Sequence, residues 1–596
     1  MVELCGFLYM HPKNSDCADK LSSFEIAANM KKYLSLIILP AVLAALAFSQ
    51  KPNTVSQPLR AEAEPFRISP GSSFAASTAK QVPTSPTAAK LLVSDIEVAM
   101  QVIREHHVGG AVIDEASLAK SSLTSMLHSL DPHSSYYDPA EYLELLGGHQ
   151  NEYSGTGSVI STFEKDGKLE TYVVSTFPGS PASHSNLRFG DRIVAVDGAS
   201  ISGESSETVR DRVRGKSGTF VNLTIEHVGS KAVETIELRR DSVPQPSVPA
   251  AYIIGRGFGY INLTTGFSHS TAAELGTAIK ELRQQGAKSL ILDLRGNGGG
   301  ILEQAIKTAE HFLPAGELIV TQRGRSANDN LVWKSENKTA ELMPLAVLVD
   351  EESASASEVV AGALQDHDRA LIVGERTFGK GLVQSVLNLP LGSGLTLTTG
   401  KYFTPSGRSI QRDYSDGSLY NYFNHMNETA ASEKLRLAAR TDSRRKVYGG
   451  SGITPEEILK KQPLTSVQIS LLDPIFFFSR EVVSGCVKGF KRYKIACRNK
   501  SAYPANTSQF DASGELLESF KHYAHIEWGY PEPLLKSQSE YIKLRLHYTF
   551  VLAAFGRFEA ERVMMENDPQ VLKAIEVLPK SAALAKAAGE NIRTSK

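Results

Sequence analysis

The chain has 596 residues, room for about three or four domains at roughly 150 residues each, so one small module cannot account for it. Hydrophobic residues make up 41% and charged residues 22%, ordinary globular usage that fits neither a disordered chain nor a many-span membrane protein. Lys plus Arg number 64 against 65 for Asp plus Glu, a formal charge of -1, so no global field steers the chain toward polyanions and nucleic-acid binding has no compositional support.

Residues 1–29 carry no signal logic and read as an extension ahead of a start at Met30. From there MKKYLSLIILPAVLAALAFSQ has two lysines, an apolar run from Leu34 to Phe48 and small residues, the build of a secretory signal over 30–49. That run is interrupted by Pro40 and falls short of the roughly 20 residues that span a bilayer, so cleavage near Ala47 or Ser49 is expected. The implied address is periplasmic or cell-envelope, tethered to the membrane if the signal stays uncut. Residues 50–90 hold six prolines among Ser, Ala, Thr and Gln and read as a flexible linker.

A helical domain is expected over 91–150, with Leu92, Ile96, Ala99, Met100 and Ile103 on one face and Leu118, Leu123, Met126, Leu127 and Leu130 on another. Over 151–243 short β-rich runs (GSVIST, TYVVST, RIVAVDG, VNLTIEHV) alternate with Gly, Pro and Ser turns around one helix-like stretch, SSETVRDRVRG. Gly155-Thr156-Gly157-Ser158, SPASHSNLRFGDRIVAVDG (Ser180–Gly198) and VRDRVRGKSGTFVNLTI resemble a PDZ domain. Such domains add a peptide as an extra strand and hold its terminal carboxylate on backbone N–H groups; carried over, that loop is Gly155, Thr156, Gly157 and Ser158. Over 244–469 strands and helices alternate: SLILDL (Ser289–Leu294), Ala346–Val349 and Ala370–Gly374 read as strands, with helices carrying Leu275, Ile279 and Leu282, then Ile301, Ala305 and Ala309, then Val359, Val360 and Leu364. This is an α/β pattern. A polar stretch at 413–448 reads as a surface loop, and 470–596 as a separate helical region around Leu516, Leu517, Phe520, Tyr523, Leu544, Tyr548, Val551 and Leu552.

There are four cysteines, Cys5, Cys17, Cys486 and Cys497, with no C-x-x-C and no H-E-x-x-H, so no zinc or dithiol motif is present. Cys486 and Cys497 would be the only thiols after Met30, in a compartment that permits a disulfide. His522 and His525, three apart, fit a wet helix face better than a metal site.

Three glycine- or serine-rich turns can carry chemistry. DLRGNGGG (Asp293–Gly300) lacks the G-x-G-x-x-G register, since Ile301 stands at the last glycine. It is either a tight turn or a cradle for a developing negative charge at a helix start. VDEESASASEVVAGALQDH (Val349–His367) places serines at another helix start, where Ser355 and Glu358 also match an S-x-x-E capping box. In LIVGERTFGKGLVQS (Leu371–Ser385) Gly374, Gly379 and Lys380 follow the phosphate-loop spacing, but Gly381 stands where Ser or Thr should meet magnesium and a strand follows instead of a helix. A lysine between glycines can instead lie against close-packed backbone and lose its water.

In this order, SLDPHSSYY (Ser129–Tyr137), the PDZ-like segment, DLRGNGGG, SASASE, FGKGLVQ and YFTPSGRSIQ (Tyr402–Gln411) closely resemble the C-terminal processing, or tail-specific, proteases over roughly 91–459. The resemblance implies a multidomain α/β chain, a crotonase-like protease core with an inserted PDZ-like domain and an N-terminal helical domain; the C-terminal helical region lies beyond the resemblance and rests on its helical pattern alone. It implies Ser355 as nucleophile, Lys380 as general base, Gln384 orienting the amine, and oxyanion donors at the backbone of Ala356 and of Gly299 or Gly300. Ser353 and Ser357 remain as helix-start hydrogen bonders. An ammonium of pKa about 10.4 must be destabilised by roughly 3 to 4 kcal/mol to accept a proton near neutral pH. A neutral glutamine partner permits that where a carboxylate would oppose it. A His-based triad is the rival, but His367 is the only histidine between Leu345 and Leu391, at a helix end where a solvated position is the simpler account.

The reading is an exported serine endopeptidase acting on proteins or peptides with free C-termini, without metal, nucleotide or other cofactor. Its competitor is a PDZ-type scaffold with a decayed site. The C-terminal helical region is left as a cap, a self-association surface or an adaptor dock.

Overall fold

The computed structural model describes residues 86–147, 152–165, 167–230, 232–424, 438–495 and 506–594. The expected extension, signal and most of the linker lie outside these, as do Cys5, Cys17 and Cys497; Cys486 is an exposed thiol. Two compact units divide at Ile113/Asp114. In the first, helix Pro86–His106 is followed by a short 3-10 turn at Gly110–Val112, and Leu92 and Ile96, expected on a packed face, are exposed.

The second unit is organised by a six-stranded sheet in the order Ala250–Ile254, Phe258–Asn262, Ser289–Asp293, Leu345–Val349, Leu371–Gly374 and Glu457–Ile458, parallel after its first antiparallel pair. Parallel strands covered on both faces read as continuous apolar runs, which is why ILDL and LAVLV contain no alternation. The front face presents Leu290, Leu292, Val347, Val349 and Ile372 to the helices Thr271–Gln284, Leu302–Glu310 and Ala356–Asp366. The rear face presents Tyr260, Ile291, Ala346, Leu348 and Val373 to Val571, Ala574, Val577 and Leu578 of the last helix, Pro569–Thr594. Each Val, Leu or Ile among these removed from water contributes about 1.5–3 kcal/mol. The C-terminal region is therefore not separate, because its last helix completes the core.

A second sheet runs in the order Ser135–Tyr137, Gly394–Phe403, Leu318–Gly324 and Leu331–Lys334, with Leu382–Asn388 also on Gly394–Phe403. Ser135–Tyr137 thus ties the segment expected as part of a helical domain into the second sheet. The intervening helices Glu115–His128 and Pro139–Gly147 do form, but Met126 and Leu130 stay exposed.

The β-rich segment folds as its own sheet with helix Ser206–Val213 over a core of Val173, Ile193, Val209, Leu223, Ile225 and Leu238. Its entry and exit pair with each other, Glu152–Gly155 on Asp241–Pro244. Strand Ser158–Lys165 pairs only with Lys168–Thr176 among the described residues, so it is a free edge.

Helices Leu472–Ser484, Gly514–Trp528, Ser539–Phe555 and Arg557–Met565 share a core of Phe478, Leu516, Phe520, Leu546 and Phe550. This bundle also packs on the β-rich module: the Phe476 ring stacks on Phe163 at 3.9 Å between centroids and meets Tyr172 and Phe189 edge-on. His522 and His525 are exposed. No helix of the described residues is long and apolar enough to cross a membrane.

Candidate active site

Strand Leu345–Val349 delivers a turn whose polar groups are tied to the neighbouring glycine loop. The Asp350 carboxylate accepts the N–H groups of Glu352, Ser353 and Gly296. The Ser353 hydroxyl donates to Leu294 O at 2.8 Å and the Ser357 hydroxyl to Asn297 O at 2.7 Å. Both flanking serines are thus spent on the scaffold and buried. Ser355 differs: it is partly exposed, and its backbone sits at φ 55, ψ -110. A residue with a Cβ rarely occupies this region, at a cost of about 1–3 kcal/mol, and such strain clusters at functional positions.

The glycine loop fits against this turn. A Cβ on Gly299 (φ +104) would lie 2.9 Å from the Ser355 Cβ and 3.1 Å from Ala356 N, and one on Gly300 (φ +137) would lie 2.2 Å from Phe267 O, so neither position tolerates a side chain. The N–H of Gly299 donates to Asn297 Oδ1 at 2.9 Å. Those of Ala356 and Gly300 meet no acceptor among the described residues.

Lys380 approaches from the loop after strand Leu371–Gly374. The side chain of Glu358, fully buried in the first turn of the helix, holds that loop: its carboxylate accepts Thr377 Oγ1 at 2.6 Å, Gly379 N at 2.7 Å and Lys380 N at 2.8 Å. The oxygen that accepts Lys380 N also accepts Ser355 N at 2.8 Å, so a single atom ties the two backbones together. Burial raises the carboxyl pKa of Glu358, against these hydrogen bonds. Burial lowers that of Lys380, opposed by the charges of Glu358 and Asp131. The glycines flanking Lys380 permit close packing, since a Cβ at 381 would meet Gln411 N at 2.7 Å.

Gln384 lies four residues onward in strand Leu382–Asn388, where the pairing slips between Val383 and Gln384, a bulge that re-aims a side chain. Its Nε2 donates to Thr398 Oγ1 at 3.2 Å, which leaves the amide oxygen as an acceptor. Behind it stands the segment before Ser135. Thr398 N donates to Ser134 Oγ at 3.0 Å, and Ser134 Oγ donates to Asp131 Oδ2 at 2.6 Å. His133 Nε2 pairs with Tyr422 OH at 2.8 Å. Burial first, then the charge of Lys380, pushes this imidazole down to about 3, so it stands neutral beside the lysine. Glu351, Glu352, Phe378, Phe423 and Asn424 line a cleft of about 350 Å³ next to this turn.

The structure thus brings Ser355, Ala356, Gly299, Gly300, Lys380 and Gln384 into one region. Gly155, Thr156, Gly157 and Ser158 belong to the β-rich module instead, where Gly157 (φ +74) faces Ser180 and the carbonyls of Thr156 and Gly157 accept Ala182 N and Phe177 N. His367 is not solvated: its side chain is 9% exposed, with Nδ1 2.8 Å from Asp442 and 3.4 Å from Glu317 and Nε2 on Leu318 O. Burial lowers its pKa, but these partners outweigh burial and raise it, so the cluster is an imidazolium between two carboxylates.

Two stretches of the chain match known families. Residues 257–416 match Peptidase family S41 and residues 149–226 match the PDZ domain. A carboxy-terminal-processing protease of Bartonella bacilliformis is 39% identical over 305 residues, covering 50% of this chain and 68% of that protein. A carboxyl-terminal-processing protease of Picosynechococcus is 35% identical over 304 residues, covering 50% and 71%. The chain belongs to the carboxy-terminal-processing proteases. A solved photosystem II D1 C-terminal processing protease is 27% identical, covering 61% of this chain and 86% of that one with a TM-score of 0.33.

As a carboxy-terminal-processing protease the chain is a serine-type peptidase carrying a PDZ domain, and the scaffold without catalysis is not favoured. Sequence reading found the three motifs but gave no work to Asp131, His133 or Ser134, quoted only within SLDPHSSYY. It read Glu358 as a helix cap. The one available signal was S-x-x-E itself, since a capping glutamate within reach of a glycine-flanked lysine has oxygens to spare.

Proposed function

We propose that this protease cleaves with Ser355 as nucleophile and Lys380 as general base. The neutral Nζ of Lys380 takes the Ser355 proton as Oγ adds to the scissile carbonyl carbon. The new oxyanion meets the N–H groups of Ala356 and Gly300, since that of Gly299 is engaged by Asn297. Collapse breaks the C–N bond, the lysine proton leaves with the amine, and water then releases the acyl group from Ser355. Gln384 offers its amide oxygen to the lysine amine without adding negative charge. The observation that carries this reading is the Glu358 oxygen shared by Ser355 N and Lys380 N.

In the wider reading the core is crotonase-like, residues 151–243 form the inserted tail-binding module, and helical regions flank the two. Gly155–Ser158 receives a free carboxylate, with the peptide laid along the open edge Ser158–Lys165. The enzyme is exported by the signal at 30–49 and acts as an endopeptidase on protein tails. On an unfolded substrate Ser355→Ala and Lys380→Ala should each lose roughly 10⁴-fold or more in kcat. Wild-type cutting by either variant overturns the assignment. Amidating the substrate's C-terminus should raise KM, and an unchanged KM removes the tail from recognition.

A further inference from the structure

The C-terminal region reaches the glycine loop through one guanidinium. Arg295 stands inside the Asp293–Gly300 motif with its side chain only 12% exposed. Its Nε lies 3.0 Å from both oxygens of Asp293, and Nη2 lies 2.6 Å from Oδ2. The remaining nitrogen, Nη1, donates to Asp568 Oδ2 and to Gln570 Oε1, each at 2.8 Å. Those partners lie 273 and 275 residues along the chain, at the turn that enters helix Pro569–Thr594.

Each partner is itself fixed. Asp568 Oδ1 accepts Gln570 N at 2.7 Å and Val571 N at 3.1 Å, capping the helix, so its second oxygen is left for Arg295. Gln570 Nε2 donates to Leu459 O at 2.6 Å, which turns Oε1 to the guanidinium. The helix is anchored in the rear core, and its Ser581 hydroxyl donates to Leu345 O, at the start of the strand that leads to Ser355. On the loop side, Arg295 N is held by Asp293 Oδ1 and Gly296 N by Asp350 Oδ1. The loop is thus clamped at its beginning by Arg295 and at its end by Phe267, whose N–H and carbonyl engage Gly299 O and Ile301 N.

We infer that Asp568 and Gln570 are positioning residues for peptide hydrolysis, setting through Arg295 the register of the glycine loop against Ser355. This rests on the oxyanion role proposed above for Gly300. A misplacement of about 1 Å at a reacting centre costs on the order of 10²-fold, so loosening one clamp should lower kcat without changing how the substrate is held.

The test uses the full chain. Asp568→Asn keeps the helix cap, since Asn caps about as well as Asp, and removes the charge; Gln570→Ala removes the second acceptor. In the double variant kcat should fall roughly ten- to hundredfold with KM unchanged. Affinity for a peptide aldehyde, whose carbonyl carbon adds the serine oxygen and whose own oxygen takes the oxyanion's place, should fall by the same factor. Affinity for the cleaved product peptide should stay at the wild-type value. Asp568→Asn alone should show the same pattern at smaller size. Wild-type kcat in the double variant, a change confined to KM, or a parallel loss of aldehyde and product binding each overturns the inference. Ser355→Ala separates the two readings: if it still cuts, the nucleophile assignment is wrong, whereas if it is dead and the double variant is fully active, only the positioning role is.

Discussion

The two ends of helix Ala356–Asp366 are built on opposite electrostatic plans. At its C-terminal end most charges have a counter-charge: Asp366 pairs with Arg408 at 2.7 Å, Asp368 with Arg445 at 2.6 Å, Arg445 with Glu456 at 2.7 Å, and His367 with Asp442 and Glu317, while the Arg369 guanidinium donates to backbone carbonyls. At its N-terminal end Lys380 forms no ion pair among the described residues, His133 is neutral, and the N–H groups of Ala356 and Gly300 are unspent. Pairing holds the scaffold, while desolvation without pairing keeps an amine reactive. Glu358 is the exception at the reactive end, and its oxygens are occupied by three donors from the lysine loop and one from Ser355.

The largest test of that contrast is Glu358→Gln. An amide offers one acceptor oxygen where the carboxylate offers two, and it turns an NH₂ toward N–H donors, so stability should fall by about 2–4 kcal/mol and kcat by on the order of 10²-fold. Denaturant unfolding and steady-state rates read both; a variant that unfolds and cuts like the wild type would make Glu358 a simple cap. Next comes Lys380→Met. A lysine whose folded pKa is lowered holds fewer protons folded than unfolded between the two pKa values, so wild-type stability should rise with pH through that window. The inactive Met variant should be more stable at pH 7 by about 0.5–2 kcal/mol, with the gap closing as pH rises. Hydrolysis by wild type should climb as pH passes the folded lysine pKa and level off above it, because the neutral amine is the working form, and a flat profile would contradict a lysine base.

Ser355→Gly should relieve the positive φ and stabilise by about 1 kcal/mol at the expense of activity, and a loss of stability would mean that the serine side chain supports the turn. The smallest effect belongs to the paired end. His367 has a raised pKa, so its contribution is fully present below the unfolded value and is lost as pH rises through the folded one. His367→Gln should therefore cost about 1 kcal/mol or less at pH 6 and progressively less at higher pH, with peptide hydrolysis unchanged. A large catalytic loss would bring the two ends under one plan.

The core was legible because its strands are buried on both faces: SLILDL and LAVLV admit little else. The serine triplet was readable only in part: all three serines sit where a helix start needs hydrogen bonds, Ser355 itself matches a capping box with Glu358, and only the family resemblance set it apart from Ser353 and Ser357. Other features depend on contacts that local pattern does not encode. Ser135–Tyr137 is too short to show a period, and the chain from Asp131 to Thr398 crosses more than 200 residues, as does the step from Arg295 to Asp568. His367 looked solvated because its burial is supplied by Glu317 and Asp442, neither of them in its own helix.

The last helix has a consequence for the order of synthesis. Until residues 569–594 have emerged, Tyr260, Ile291, Leu348 and Val373 lack the apolar cover supplied by Val571, Ala574, Val577 and Leu578. A nascent chain therefore carries its serine and lysine long before it owns a closed sheet to hold them. A chain cut upstream of that helix should therefore expose the rear face of the sheet to water.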